Sequence, residues 1–175
     1  MGAFITDEIQ AFIGMETELQ DCADPIEPGA VRRFAQATMD RDPLYMDAGY
    51  TAGTRYGRPV APPLFPLAML RPAYDGPDLV TERAEDPDYD GTRESSTLGL
   101  PPLPLVNSPM LNGGTAVEIF RYAHHGERVR VKSRYKDIYE RETSKGLMLF
   151  IIYESDFVDE QGDVIIRFTK THIRR

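Results

Sequence analysis

The feature that most constrains this chain is the run Leu147-Met148-Leu149-Phe150-Ile151-Ile152-Tyr153, seven apolar residues without a break. Side chains of a strand alternate between its two faces, so a strand that is apolar at every position must be covered on both. It therefore belongs in the middle of a sheet. The run is far short of the roughly 20 residues that cross a bilayer, so it reads as a buried strand and no membrane partner is expected.

Other strands surround it. After Gly113-Gly114, Val117, Ile119 and Tyr122 alternate, Arg128 to Lys132 alternates strictly, and Leu147 to Phe157 and Val164 to Ile173 follow, with Glu160-Gln161-Gly162-Asp163 as a hairpin turn. Upstream, Val31, Phe34, Ala35, Thr38 and Met39 recur at helical spacing behind Pro28, and the helix runs into Asp40-Arg41-Asp42-Pro43, where the proline disfavours helix for Asp42. Asp40 thus falls at a helix-to-loop corner. A second helix is expected from about Leu64 to Leu70, entered through Pro59, Pro62 and Pro63. Helices first and four antiparallel strands after them define a segregated α+β domain spanning 1–175. Eleven of the 14 prolines lie between Pro59 and Pro109, and eight acids fall between Asp75 and Glu94, so residues 71–110 read as a long acidic, proline-rich insertion. Loops of that length are usually functional lids, interface elements or mobile segments.

Composition removes several function classes. With 28 acidic and 20 basic residues and a net charge of -8, the chain lacks the clustered cations that a phosphate backbone requires, and no nucleic-acid partner is expected. The single Cys22 suits a reducing cytoplasm, and Asp7 and Glu8 interrupt the N-terminal apolar stretch, which does not read as a signal peptide. His124, His125 and His172 form no metal-ligand spacing with Cys22 or nearby carboxylates. Asn112-Gly113-Gly114 is no phosphate loop, and no serine sits in a nucleophile elbow.

What remains is the corner Asp40-Arg41-Asp42-Pro43-Leu44-Tyr45-Met46-Asp47 and, ten residues on, Gly57-Arg58-Pro59-Val60-Ala61-Pro62-Pro63. Together they resemble the MaoC-like branch of the hot-dog acyl-thioester hydratases and dehydratases. That family carries Asp-x-Asn-Pro-aliphatic-His-x-Asp after its first long helix, then a Gly-x-x-Ile-Ala-type segment entering a central helix. Asp40, Pro43, Leu44 and Asp47 match, Asp42 stands where Asn is usual, and Gly126-Glu127-Arg128-Val129 matches the family's Gly-Asp-x-aliphatic turn. The resemblance implies a hot-dog fold: an antiparallel sheet wrapped around a central helix near Pro63 to Leu70, paired with a second hot-dog subunit. Its substrate would be an acyl-CoA or acyl-carrier-protein thioester, with no further cofactor and no metal.

The chemistry of that family needs a carboxylate and an imidazole to orient water and shuttle its proton, and a backbone N–H to hold the thioester oxygen as charge develops. Both are altered. Tyr45 occupies the catalytic histidine position, and a phenol of pKa about 10 is a poor base at neutral pH. Pro62-Pro63 occupies the position of the oxyanion donor, and proline has no N–H. The resemblance is therefore to the degenerate, acyl-holding half of a two-unit hydratase, whose complement carries intact Asp and His. Asp40 and Tyr45 are the candidate catalytic pair. Gly57, Val60, Ala61, Pro62, Pro63, Leu64 and Phe65 are the candidate substrate-binding residues, with Arg128 and Arg130 for the phosphates of coenzyme A. The alternatives are a homodimeric hydratase relying on Asp40 and a non-enzymatic acyl-thioester binder.

Overall fold

The computed structural model describes residues 4–70, 76, 79–86, 98–105 and 109–175. Four short helices, α1 (Asp7–Gln10), α2 (Pro28–Ala37), α3 (Ala48–Ala52) and α4 (Leu79–Glu82), precede the long strands. A two-residue β1 (Gln20–Asp21) lies between α1 and α2. The long strands are β2 (Met110–Ile119), β3 (Arg130–Thr143), β4 (Gly146–Val158) and β5 (Val164–Arg174), in one sheet ordered β1-β3-β4-β5-β2. Every pairing is antiparallel. The apolar strand β4 is the middle one, as its sequence demands. Among the described residues no helix is long and apolar enough to cross a membrane.

The inner face of the sheet carries the core. Val131 of β3, Phe157 of β4 and Ile166 of β5 lie side by side, and Val31 and Ala35 of α2 pack on them. Farther along the same strands Tyr135, Leu149, Ile151 and Tyr153 form a second cluster with Ile9 and Leu100. Between the two, Ser133 and Ser155 share a buried hydrogen bond of 2.8 Å, so this polar pair is satisfied within the core. On the outer face Arg134 and Lys136 both reach the carboxylate of Glu154, which is only 3% exposed, and Arg167 grips Asp156 at 2.6 and 2.7 Å.

Three expectations are corrected. The helix expected over Leu64 to Leu70 is a single 3-10 turn, Phe65–Ala68. An α-helix would need the Pro66 amide to reach Pro62, and proline has none; instead Phe65 donates to Pro62 and Met69 to Pro66 over three residues. Among the described residues α2, not the Pro63 to Leu70 segment, is the longest helix on the inner face. The strand read as Arg128 to Lys132 starts at Arg130 and runs on to Thr143. A register shift between Tyr135 and Asp137 breaks its alternation, which hid the continuation. Gly113-Gly114 lies inside β2 rather than ahead of it, at a bulge where Gly114 has φ +124° and a side chain on Gly113 would come within 2.7 Å of Thr171. Tyr122 falls outside that strand. Most of the 71–110 insertion lies outside the described residues.

One buried carboxylate closes the β4–β5 hairpin. Asp159 accepts from the amides of Gln161 and Asp163 at 2.9 Å each and from Arg121 at 2.7 Å. Burial alone would raise its pKa, but Arg121 and the two amides outweigh it and hold the carboxyl below its usual range. Its contribution to stability is thus complete above the unfolded value of about 3.9 and is lost as pH falls through the depressed folded value. Asp159→Ala is expected to cost about 2–4 kcal/mol in urea denaturation at neutral pH, and the loss should shrink toward pH 2.

Candidate active site

The carboxylate of Asp40 is placed by the way α2 ends. Met39 takes a left-handed conformation, φ 57°, its amide donates to Gln36, and the Asp40 amide donates to Ala35 at 2.9 Å. This is the Schellman pattern, which glycine normally closes. Here a methionine does so, with its side chain 86% exposed. Downstream, Asp42 caps the 3-10 turn Pro43–Tyr45 by accepting from the Leu44 amide at 2.9 Å, and Asp47 caps α3 by accepting from Tyr50 at 2.9 Å. Two of the corner's three carboxylates therefore serve the backbone alone, while Asp40 accepts from the Asp42 amide at 3.3 Å through Oδ1 and keeps Oδ2 for another partner.

The third faces a phenol. Tyr45 is 4% exposed, and its hydroxyl donates to Oδ2 of Asp40 at 2.8 Å. Burial and this bond, reinforced by the negative charge of Asp40 and by Asp42 and Tyr122, push the phenol's pKa well above its ordinary value. The phenol stays protonated at neutral pH and works as a donor to the carboxylate, not as a base. A groove of about 760 Å³ opens beside the pair, bounded by Arg32, Gln36, Met39, Arg41 and Met46.

The second segment of the sequence pattern is brought against the first. The Val60 amide donates to Leu44 at 3.1 Å and the Ala61 amide to Ala123 at 2.8 Å, which fixes Gly57 to Phe65 between the corner and the stretch leading to β3. Within it Val60 and Ala61 have no exposure, and Phe65, 3% exposed, packs edge-on against Phe34 at 5.4 Å. These three are core. Pro62 is buried and Pro63 half-buried, whereas Leu64 (44%) and Gly57 are exposed, Gly57 with φ +69°. Arg128 and Arg130 are elsewhere. Arg130 donates to the carbonyls of Asp159 and Glu160 and so clamps the β4–β5 turn. Arg128 borders a separate groove of about 330 Å³ with Arg58, His125 and Glu160.

Sequence reasoning missed two neighbours of the pair. The imidazole of His125 lies under the corner, against the carbonyls of Val60 and Tyr45, and burial lowers its pKa despite them. Tyr122 stacks on Tyr56 at 5.4 Å and acts electrostatically on Tyr45. No sequence signal places either beside the corner, since Tyr122 reads as part of the alternation of β2; loop closure through the Val60–His124 bridge brings them there.

The model of the FAS1-like, dehydratase domain region matches residues 11–168. The chain belongs to that family. Similar solved structures share its fold. The ChsH1–ChsH2 complex of Mycobacterium tuberculosis matches at 14% identity and TM-score 0.66, over 91% of this chain and 88% of that one. A MaoC-like dehydratase from Rhodospirillum rubrum matches at 19% and 0.59, over 93% of each chain. The HadBC complex of M. tuberculosis, a 3R-hydroxyacyl-ACP dehydratase, matches at 15% and 0.57, over 93% and 96%. No curated protein matches the sequence. This member of the dehydratase-region family has the hot-dog fold of the MaoC-like hydratases and dehydratases.

The Tyr45–Asp40 contact predicts an asymmetry between its two halves. Tyr45→Phe removes a donor from a half-buried carboxylate that water can still reach and should cost about 0.5–1.5 kcal/mol; Asp40→Ala leaves a buried hydroxyl without its acceptor and should cost about 1–3 kcal/mol. Urea denaturation of the two variants checks the order.

Proposed function

We propose that this chain is the acyl-binding half of an (R)-specific 2-enoyl-thioester hydratase or 3-hydroxyacyl-thioester dehydratase. Its partner is a second hot-dog chain that carries the working Asp and His. The observation that carries this reading is the hydrogen bond from Tyr45 to Asp40. Water addition needs the carboxylate free to orient water and a base of pKa near 7 beside it. Here the acid is already engaged, by a buried phenol whose pKa is displaced away from neutrality. The prolines at 62 and 63 add a second deficit, because neither offers an amide hydrogen to a developing enolate.

Two features support a partner. Structures of like fold include two heteromeric assemblies, ChsH1–ChsH2 and HadBC. Among the described residues strand β2 pairs with β5 on one side only, and its ten residues carry a single charge, Glu118, with Leu111 and Ile119 exposed. That edge has neither lysine nor proline, so the bulge at Gly113–Gly114 and Glu118 are its protections against pairing. Continuation of the sheet across β2 into the partner would cover it. The substrate is an acyl-CoA or acyl-carrier-protein thioester, and the reaction needs no cofactor besides it.

The isolated chain is expected to hydrate neither crotonyl-CoA nor longer enoyl-CoA esters. Mixed with a MaoC-like chain bearing the intact Asp-x-Asn-Pro-aliphatic-His motif, it should form a complex on gel filtration and turn over the longer esters. Turnover by the lone chain that disappears in Asp40→Asn would replace this reading with the homodimeric one. Acyl-CoA binding without turnover in any pairing would leave a binding protein.

A further inference from the structure

The groove of about 330 Å³ at the β4–β5 turn is bordered by Arg58, His125, Glu127, Arg128, Asp159 and Glu160. Small-molecule sites run to about 300–1,000 Å³, so a groove of this size suits one end of a long ligand. It borders the same segment as the Asp40–Tyr45 pair. His125 lies against the carbonyls of Tyr45 and Val60, and Arg58 stands in the segment that the Val60 amide ties to Leu44.

The charges around the groove divide into engaged and free. Glu127 and Asp159 are both gripped by Arg121, at 2.9 and 2.7 Å, and Asp159 accepts two amides besides. Arg130 is committed to the carbonyls of Asp159 and Glu160. Arg58 comes no nearer to Glu127 than 4.0 Å, and its side chain is 61% exposed. Arg128 is exposed and has no partner among the described residues; the same holds for the carboxylate of Glu160. One guanidinium is therefore free, a second is loosely held, and a free carboxylate shares the groove with them. A bare anion would be repelled by Glu160. A ligand that carries a hydroxyl next to its phosphate turns the same carboxylate into an acceptor. Carboxylates serve ribose hydroxyls in this way, and arginines serve a ribose phosphate.

We propose that this groove holds a phosphorylated ribose, with Arg128 and Arg58 on the phosphate and Glu160 on the adjacent hydroxyl, so that the acyl group arrives on coenzyme A and not on a carrier protein. This rests on the acyl-thioester reading and deepens it. Coenzyme A ends in a ribose whose 3′-phosphate and 2′-hydroxyl are neighbours, whereas the phosphopantetheine of a carrier protein has no ribose. The planar guanidinium fork meets phosphate oxygens in paired, charge-assisted hydrogen bonds. Arg130 takes no part, because its donors hold the turn.

Isothermal titration of the full chain tests the assignment. Coenzyme A, dephospho-coenzyme A, phosphopantetheine and a decanoyl thioester of N-acetylcysteamine, which has no phosphate, are titrated into wild type, Arg128→Gln, Arg128→Glu and Glu160→Ala. All three substitutions fall at exposed positions. Coenzyme A should bind wild type about tenfold more tightly than dephospho-coenzyme A or phosphopantetheine. That advantage should shrink in Arg128→Gln and vanish in Arg128→Glu, and Glu160→Ala should weaken coenzyme A. The phosphate-free thioester should bind all four proteins alike. Failure of coenzyme A to bind, or equal affinity of coenzyme A and dephospho-coenzyme A for wild type, overturns the proposal. Phosphopantetheine that matches coenzyme A overturns it as well, since the phosphate of the arm would then suffice. Tighter binding of coenzyme A to Glu160→Ala shows that the carboxylate only repels, and the ribose assignment falls. If the phosphate-free thioester fails to bind while coenzyme A binds through Arg128, the acyl-binding reading falls and the groove stands. If that thioester binds while coenzyme A gains nothing from its 3′-phosphate, the groove falls and the reading stands.

Discussion

The fold is organised by the need to cover β4 on both sides. A strand that is apolar at each of seven successive positions tolerates neither an edge nor a wet face, so β3 and β5 must flank it and other elements must pack on it. From that follow the two clusters on the inner face. On the outer face charged partners take up the next rows, with Glu154 locked between Arg134 and Lys136 where β4 turns polar. The helices are short and contribute by what they lay on this sheet, α2 above all.

Upon that platform the corner after α2 is rigid for reasons independent of catalysis. Main-chain hydrogen bonds place Asp40, Asp42 and Asp47 cap the turns that follow, and Val60 ties the next segment to Leu44. In the reading proposed above, the architecture around a hydratase centre is kept while the groups at the centre differ. A buried phenol bonded to the acid is a stable arrangement, and stability of that kind opposes proton transfer. The enzymatic reading proposed above therefore requires a second subunit, with the β2 edge as the surface offered to it.

Much of this was legible in the sequence because the decisive signals were local. The apolar run fixed the central strand, the Pro28 pattern fixed α2, and the spacing from Asp40 to Asp47 carried the family resemblance. What was hidden depended on hydrogen-bond arithmetic or on distant closure. Pro66 reads as compatible with a first helical turn, yet its missing amide limits the segment to 3-10 geometry. The bulge at Tyr135 to Asp137 masked half of β3 because it shifts the alternation by one residue. Arg130 matched the expected periodicity of a ligand-binding row, but the turn carbonyls it clamps are 29 and 30 residues away in sequence. The nearness of His125 and Tyr122 to the corner likewise has no trace in spacing.

The left-handed Met39 has an evolutionary corollary. Main-chain geometry at the helix exit sets the backbone of the acid whichever residue stands at 45, and the Tyr45 hydroxyl only engages the carboxylate already placed there. On the proposed reading, turnover can be given up at such a corner without disturbing the scaffold that carries it. On that reading, what separates such a subunit from a working one is an imidazole and a main-chain hydrogen, and not a different architecture.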